Sequence, residues 1–479
     1  MSEVTASTAV QPDGAGKRAR RYAAYIFWLM FVINFLNYLD RWIFTGLSPI
    51  IQKALHLSDF QIGLLTSSFL LVYTVVALPL GFMADRIARK TIVALGVAVW
   101  SLATVFTAVA PNFGTMLGVR TLLGVGEGSY YPAGTPLLAA YYKPSRRATI
   151  LARWSVGALI GAAIGFLAAA PFSSPSAWRY AFFCTGLPGL IFAVLIWRTR
   201  NKIRHEDDPP ADHVANEGRS SWQKMRAYLR IPTIRVIIGV HMFGFFGLTA
   251  VTTFLAIYLS DTYSLGSPGF THNGLSPHLV PVLAGAIVLV GGILGNLGGG
   301  VWANRLSRKH SGARVLTGGL GFLIAAPCVL VAVGASYVLP HLGFYTGASE
   351  ATRLTIGITI FAVFALLGAF FLNVYNGPTS AALLDVVPAP ERGSAGGMEL
   401  TMAHLLGDVY AATVVGALAD ALKASLGGEQ IGLAMLLTVP LALVCSGIIG
   451  IWGSRFYAPD VAKLGSSAQA LLGTTAVSA

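Results

Sequence analysis

Twelve long apolar runs limit what this chain can fold into. They lie near residues 25–49, 60–84, 91–110, 113–140, 148–172, 179–198, 233–260, 278–303, 312–338, 355–384, 393–421 and 429–456. A helix needs about 20 mostly apolar residues to cross a bilayer. Only 11% of the 479 residues are charged, against roughly 25% in soluble proteins. The sequence therefore predicts an all-α membrane protein with twelve transmembrane helices, which we number as spans 1 to 12.

A short charged turn occurs twice and relates the two halves of the chain. G-F-M-A-D-R-I-A-R-K runs from Gly81 to Lys90, and G-V-W-A-N-R-L-S-R-K runs from Gly300 to Lys309. Each copy joins the second and third spans of its half. Two homologous halves are typical of secondary transporters, so the repeat predicts two pseudo-symmetric six-helix bundles.

The spacing of the spans predicts the divisions of the chain. We expect a disordered cytoplasmic tail at 1–21, bundles at 22–199 and 233–457, a cytoplasmic linker at 200–232 and a cytoplasmic tail at 458–479. The linker contains S-S-W-Q-K-M-R-A-Y-L-R, which is amphipathic enough to form a short helix on the membrane surface.

The net charge of +13 orients the chain. Most Lys and Arg residues lie in the termini and in the loops on one side of the predicted membrane. The positive-inside rule therefore places both termini in the cytoplasm. The same distribution argues against nucleic acid as a partner, and the compact loops favour a bacterial inner membrane.

Glycine-rich stripes do not indicate a nucleotide site. Glycines recur at every fourth residue over 157–165 in span 5 and over 291–299 in span 8, a spacing that lets membrane helices pack closely. The G-N-L-G-G-G segment around Gly295 lies within a span and follows no strand, so it does not fit a dinucleotide-binding turn. The sequence predicts no cofactor, no metal site and no ATP site, and therefore transport driven by a gradient.

Ionisable groups within spans are candidates for function because burying them in a bilayer is costly. Span 1 contains Asn37, Asp40 and Arg41. Asp40 and Arg41 point about 100° apart on a helix, and Asn37 shares a face with both. These residues fit either a role in coupling and substrate binding or an ion pair that fixes span 1 to a neighbour.

Span 4 contains Arg120 and Glu127, seven residues and two helical turns apart, followed by Tyr130. An arginine offers a rigid fork for a carboxylate or phosphate. Glu127 is a candidate proton carrier, with a structural salt bridge as the alternative. Arg153 in span 5 either reaches the cytoplasmic surface or lines the cavity as a third cation. Tyr130 is a further candidate substrate contact.

Span 11 contains His404 and Asp408, which face the same way at i and i+4 and are candidates for a proton relay or for packing. Glu399 precedes them in the same span. Weaker candidates for polar cavity lining are His241, Asn373, Tyr375 and Asn376.

The repeated turn predicts a gate. We expect Asp85 to cap a helix end and to pair with a basic residue at the interface of the halves, closing the cytoplasmic side in one state. Asn304 lacks the charge, so the second copy should be the weaker latch. The predicted gating residues are Asp85, Arg86, Arg89, Lys90, Asn304 and Arg305.

The two turns, the R-x-x-x-G-x-G-E segment of span 4 and the glycine stripe of span 5 resemble the major facilitator superfamily over essentially the whole chain. Ala88 departs from the pattern, which usually has Gly there. Within the superfamily, N-Y-L-D-R at 37–41, G-V-G-E-G-S-Y at 124–130, W-R-Y-A-F-F at 178–183 and H-L-L-G-D at 404–408 are similar to the spinster family.

The resemblance to spinster proteins implies movement of amphipathic lipids, such as lysophospholipids or sphingosine-type phosphates, coupled to protons. It implies functional roles for Asp40, Arg41, Arg120 and Glu127, but none for Arg153 or Glu399. Asp40 and Arg41 also match organic anion symporters of the superfamily. The alternative is therefore a proton-coupled symporter for sugar acids or other carboxylates. We expect alternating access by a monomer that is not an enzyme.

Overall fold

The first half of the chain forms one bundle of helices. The computed structural model describes residues 13–200, 221–264, 267, 270–388, 391–426 and 430–476. The first bundle contains α1 (Asp13–Ala54), α2 (Asp59–Arg86), α3 (Arg89–Val109), α4 (Phe113–Ala139), α5 (Pro144–Ala169) and α6 (Trp178–Trp197). The short helix α7 (Ser221–Tyr228) follows in the linker, where the sequence predicted one.

The second half forms a second bundle. It contains α8 (Pro232–Tyr263), α9 (Leu279–Leu306), α10 (Ala313–His341), α11 (Glu350–Asn373), α12 (Asn376–Asp385), α13 (Arg392–Ala403), α14 (Val409–Leu426) and α15 (Gln430–Ala476). Span 10 is divided between α11 and α12. Span 11 is divided between α13 and α14, which are joined by a π-helical turn, His404–Asp408.

The two bundles repeat the same helix pairings. In the first, α2 packs on α4, and α3 packs on both α4 and α6. In the second, α9 packs on α11, and α10 packs on both α11 and α15. These are the same pairings if α2, α3, α4 and α6 correspond to α9, α10, α11 and α15. The predicted all-α fold with two related bundles is confirmed.

Eleven helical segments of the described chain are long and apolar enough to cross a membrane. Span 4 is the predicted span that is not among them. It forms the 27-residue helix α4, whose mean hydropathy is lowered by Arg120, Glu127 and several glycines. This helix nevertheless packs against α2 and α3. Its charged side chains, Arg120 and Glu127, are buried inside the bundle.

Two helices are longer than the predicted spans. Helix α1 begins at Asp13, inside the segment predicted to be disordered. Helix α15 continues to Ala476, through most of the predicted tail. Extending a formed helix adds one hydrogen bond for each residue that is fixed, whereas starting a helix is unfavourable. Hydropathy identifies the membrane-crossing part of such a helix but not its extension.

Both glycine stripes pack helices together, as predicted. A Cβ placed on Gly161 of α5 would lie 2.2 Å from the Phe35 carbonyl oxygen of α1. A Cβ on Gly295 of α9 would lie 2.1 Å from the Phe370 carbonyl oxygen of α11. Both distances are shorter than any atomic contact allows, so these helices reach their separation only because the stripe lacks side chains.

The two bundles meet at one end, which holds the end of α1 and the beginning of α2 and which we call the outer side. Both carboxylate oxygens of Asp420, on α14, accept backbone N–H groups at the beginning of α2, from Asp59 and from Phe60, each at 3.1 Å. Nearby, the Thr413 hydroxyl donates to the Ser67 hydroxyl at 2.7 Å. These contacts close the outer side between α2 and α14.

Candidate functional site

An ion pair joins α1 to α4 in the first bundle. The Arg41 Nε donates to Glu127 Oε2 at 2.5 Å. The Glu127 side chain is fully buried, and 21% of the Arg41 side chain is exposed. The glycines beside Glu127 bring helices close: a Cβ on Gly126 would lie 2.5 Å from the Trp100 backbone nitrogen. This packing keeps water from the carboxylate, which strengthens its attraction to Arg41.

Aromatic rings support both arginines of this site. The Arg41 guanidinium carbon lies 5.0 Å from the centre of the Phe69 ring and 4.6 Å from that of Tyr73. The Arg120 guanidinium carbon lies 3.9 Å from the Phe44 ring centre and 5.1 Å from the Phe69 ring centre. Phe69 therefore contacts both cations, an arrangement that stabilises charge through the ring faces.

Arg120 is a buried cation whose Nε has no hydrogen-bond partner among the described residues. The residue is 5% exposed. Glu127, two turns away on the same helix, bonds to Arg41 instead. A buried charge without a hydrogen-bonded partner is destabilising, so Arg120 remains a candidate for contact with an anion.

Asp40 is hydrogen-bonded to α3 rather than to an arginine of this site. The Thr104 hydroxyl of α3 donates to Asp40 Oδ2 at 3.2 Å, and Thr185 of α6 also lies beside the Asp40 carboxylate. Asn37 is buried and lies beside Glu127. The polar residues predicted from span 1 are therefore divided: Asn37 and Arg41 meet Glu127, whereas Asp40 lies against α3.

Two other predicted residues of this bundle lie apart from the ion pair. Arg153 is exposed. Tyr130 is buried, and its hydroxyl donates to the Met30 carbonyl at 2.9 Å and accepts from the Trp154 Nε1 at 3.2 Å. The Tyr130 hydroxyl is thus occupied by protein groups in this conformation.

The first copy of the repeated turn binds helix ends in its own bundle. The Lys90 Nζ donates to the carbonyls of Trp197 and Thr199, at 3.0 and 2.6 Å. The Arg89 Nη1 donates to the Pro136 carbonyl at 3.5 Å. Cations stabilise the carbonyl ends of helices, which accounts for these contacts.

The gating role of the two turns remains a prediction. Asn304 and Arg305 of the second copy are exposed. The side chains of Asp85 and Arg86 lie outside the described residues.

The predicted pair in span 11 is present. His404 Nδ1 lies 2.7 Å from Asp408 Oδ2, and both residues belong to the π-helical turn. A Cβ on Gly407 would lie 2.3 Å from the Met242 carbonyl oxygen of α8. Single π turns occur often at functional sites, and this one places the pair directly against α8. The sequence predicted the pair but not the turn.

A second histidine–carboxylate pair, which the sequence did not predict, crosses between helices. His241 Nδ1, on α8, lies 2.6 Å from Glu399 Oε1 on α13. His241 Nε2 lies 2.9 Å from the Thr379 hydroxyl on α12. All three residues are buried. These residues lie in separate spans, so no spacing rule connects them.

The Phe245 ring lies between the two histidines. It stacks on the His241 ring at 4.9 Å between centres and lies 5.1 Å from the His404 ring. The Tyr375 ring contacts both His241 and Phe245, at 5.1 and 5.6 Å. The second bundle therefore holds one cluster of two histidines and two carboxylates, which we call the histidine cluster: His241, Glu399, His404 and Asp408.

An apolar cavity lies in the second bundle among α8, α9, α10 and α11. The cavity volume is about 40 Å³. Most of its wall is aliphatic or aromatic, and Thr252 and Asn373 are its polar side chains. Both donate to carbonyls of their own helices, those of Leu248 and Ala369. Asn376, the other predicted amide, is exposed.

The sequence profile of the Major Facilitator Superfamily matches residues 30–405, more than half of the chain. The chain belongs to the Major Facilitator Superfamily. Like other members of this superfamily, it is an integral membrane transporter and not an enzyme.

Relatives of this superfamily member include spinster proteins. It is 26% identical to protein spinster homolog 1 of Xenopus laevis over 444 residues, which cover 90% of this chain and 78% of the relative. It is 26% identical to protein spinster homolog 1 of Homo sapiens over 426 residues, which cover 84% and 74% of the two chains. The predicted resemblance to the spinster family is confirmed.

Solved structures show the same superfamily fold. A bacterial homologue of the human lysosomal transporter spinster, inward-facing and unoccupied, superposes with a TM-score of 0.72 at 20% identity, covering 92% of this chain and 97% of that one. A D-xylose–proton symporter superposes with a TM-score of 0.62 at 14% identity, covering 91% and 97%. The superfamily fold is thus shared by transporters with different names, one of them a D-xylose–proton symporter.

Proposed function

We propose that this transporter moves an amphipathic anionic lipid, such as a lysophospholipid or a sphingosine-type phosphate, by proton-coupled alternating access. The apolar cavity of the second bundle is the observation that supports this cargo over a small carboxylate. A sugar acid needs hydrogen-bonding groups along its whole length. An acyl chain needs apolar walls. Because Thr252 and Asn373 already donate to carbonyls of their own helices, an acyl chain beside them would leave neither donor without a hydrogen bond.

The cavity volume is compatible with part of an acyl chain. A cavity needs a volume of about 10–15 Å³ to hold one water molecule. A cavity of about 40 Å³ therefore has room for a few methylene groups. Each buried methylene contributes about 0.8 kcal/mol. Several methylenes would therefore supply a large part of the binding energy of a lysolipid.

The arginines of the first bundle supply the complementary half of the proposed site. Arg120 is buried and its Nε is unpaired among the described residues, and the partly exposed Arg41 stands beside it across Phe69. A phosphate or carboxylate head group would accept a charge-assisted hydrogen bond from Arg120. The cargo would then bridge the bundles, with its head group in the first and its chain in the second.

Filling the cavity tests the proposed cargo. Ala365 lines the cavity on α11. We expect Ala365→Phe to reduce uptake of a long-chain lysophospholipid into proteoliposomes by about tenfold or more, equivalent to the loss of about two buried methylenes. Uptake of a short-chain analogue should fall less, because its chain does not need the cavity.

Leu367→Phe is the matched control, since Leu367 lies on the same helix but is 44% exposed and faces away from the cavity. Equal loss of long-chain and short-chain uptake in Ala365→Phe would contradict a role of the cavity in binding the chain. Uptake of small organic acids but of no lysolipid by the unmodified protein would favour the alternative cargo.

The outer contacts between the bundles support alternating access. In this conformation Asp420 caps the beginning of α2 across the interface, and glycines bring the backbones together: a Cβ on Gly63 would lie 2.2 Å from the Ala412 carbonyl oxygen. A carboxylate at a helix beginning is favourable both as a cap and through the helix dipole. Opening of the outer side would break these contacts, so they stabilise the outward-closed state.

Removing this cap should favour the outward-open state. A helix cap contributes about 1 kcal/mol, or about fivefold in an equilibrium. Ser67 is 6% exposed in this conformation. We expect Asp420→Ala to increase the labelling rate of a cysteine placed at Ser67 about fivefold. The measurement uses a membrane-impermeant maleimide and a background without Cys184, Cys328 and Cys445.

Asp460→Ala is the control for this experiment. Asp460 Oδ2 accepts from the Thr233 backbone N–H at 2.9 Å and so caps α8, but within a single bundle. Its loss should lower thermal stability without changing the labelling of Ser67→Cys. Equal labelling in both variants would contradict a latch at Asp420.

We further propose that the protein is a monomer of a bacterial inner membrane with cytoplasmic termini. The excess of Lys and Arg in the loops on the side of the termini supports this orientation. On this assignment the outer side is the periplasmic side.

A further inference from the structure

The hydrogen bonds around His241 depend on how many protons the site holds. His241 Nδ1 faces Glu399, and Nε2 faces the Thr379 hydroxyl. That hydroxyl also lies 2.8 Å from the Tyr375 carbonyl oxygen. A hydroxyl has one proton to donate, so Thr379 donates either to the Tyr375 carbonyl or to His241 Nε2, but not to both.

Each orientation of the hydroxyl corresponds to a different charge. If Thr379 donates to the Tyr375 carbonyl, it must accept from His241 Nε2–H, and a second proton must then lie between Nδ1 and Glu399. The pair is neutral overall in that arrangement. If Thr379 donates to Nε2, then Nδ1–H donates to the Glu399 carboxylate, and the pair carries one negative charge. The same heavy-atom positions satisfy both states.

We propose that His241 and Glu399, with Thr379 as a rotating hydroxyl, bind and release one exchangeable proton and thus form a second proton site in the second bundle. The neutral state is stable when the site is dry, because an unbalanced buried charge is costly. Contact with water on one side of the membrane allows the proton to leave. The link between α8 and α13 persists in either state, so proton exchange needs no unfolding of the bundle.

The groups around the pair favour uptake of a proton. Asp408 is buried nearby with His404, and Tyr375 contacts the His241 ring. If both histidines are neutral, the buried carboxylates of Glu399 and Asp408 are the charges that remain in the histidine cluster. Each negative charge then disfavours the other. A proton at His241–Glu399 removes one of these charges. The Tyr375 and Thr379 hydroxyls add no charge.

Proton counting on the purified full-length protein tests the site without any cargo. We expect the wild type to take up one more proton per molecule than Glu399→Gln when the pH is lowered from about 8 to 5, the range in which an unperturbed histidine changes charge. Glutamine keeps the volume and the hydrogen bond to Nδ1. Glu391→Gln, at the beginning of α13, should leave the count unchanged, because it removes no member of the cluster. Equal counts for the wild type and Glu399→Gln would overturn the proposal.

Thr379→Val tests the rotating hydroxyl. Without it, His241 Nε2 loses its hydrogen-bond partner in both protonation states, so the pH range of proton uptake should differ from that of the wild type. Thr317→Val is the matched control: Thr317 is fully buried, and its hydroxyl donates to the Ala313 carbonyl of its own helix at 2.8 Å. Identical titrations of Thr379→Val and Thr317→Val would exclude the role of Thr379.

The coupling role of this proton rests on the proposed function and is tested separately. Under a gradient of one pH unit, each coupled proton supplies about 1.4 kcal/mol, or about tenfold accumulation. Glu399→Gln should therefore accumulate a fluorescent lysophospholipid in proteoliposomes about tenfold less than the wild type. An unchanged ratio with an altered proton count would contradict coupling. Absence of lysophospholipid uptake by the wild type would contradict the proposed cargo and leave the proton count standing.

Discussion

Glu127→Gln is expected to lower gradient-driven accumulation of cargo about tenfold for each pH unit, while exchange of cargo at equal pH continues. The Glu127 carboxylate is buried and holds Arg41 at 2.5 Å. Protonation would weaken this ion pair and free Arg41 for the cargo. Glutamine imitates the protonated carboxyl permanently, so one coupled proton, about 1.4 kcal/mol per pH unit, is lost.

Two assays in proteoliposomes separate these effects: accumulation of labelled lysophospholipid under a pH gradient, and exchange without one. Asp40→Asn is the comparison variant, because Asp40 bonds to Thr104 rather than to an arginine. A tenfold loss in Asp40→Asn with wild-type accumulation in Glu127→Gln would transfer the coupling role to Asp40. Loss of exchange in Glu127→Gln would show instead that Glu127 is needed for binding or for movement.

Arg120→Met is expected to weaken cargo binding strongly while raising the thermal stability of the protein without cargo. Removing one member of a buried charge pair costs about 2–5 kcal/mol of binding energy, so affinity for a lysophospholipid should fall about 100-fold or more. Without cargo, the Arg120 Nε has no partner among the described residues. Taking a charge out of water is costly, so replacing this buried cation with an apolar side chain removes that desolvation cost from the folded protein.

Arg179→Met provides the matched control. The Arg179 Nη1 donates to the carbonyls of Ala108 and Ala110 at 2.7 and 3.1 Å, so this arginine is already used within the fold. Its loss should lower the unfolding temperature and leave affinity unchanged, the reverse of Arg120→Met. A lower unfolding temperature with unchanged affinity in Arg120→Met would show that Arg120 is structural.

Local patterns were enough to predict much of this architecture. The apolar runs predicted the helices because crossing a bilayer sets a minimum length of apolar chain. The glycine stripes predicted close packing, which Gly161 and Gly295 confirm. His404 and Asp408 were predicted as a pair because residues four apart share a helix face.

Contacts between distant spans were not predicted. His241 and Glu399 are 158 positions apart, and nothing in the sequence distinguishes His241 from a histidine that only packs. The sequence placed Asp40 and Arg41 side by side, but the structure places them against different helices. The hydrogen bonds of Tyr130 were not predicted either, because its partners lie on α1 and α5.

The sequence by itself determined that the chain crosses a membrane as two related bundles with a few charged groups inside them. Those properties depend on hydropathy, repeat spacing and residue type, which are local. Only the tertiary structure decided which charges meet: Arg41 with Glu127, Asp40 with Thr104, His241 with Glu399, and Asp420 with the beginning of α2. Helix rotation and packing fix these partners, and both depend on contacts among many helices at once.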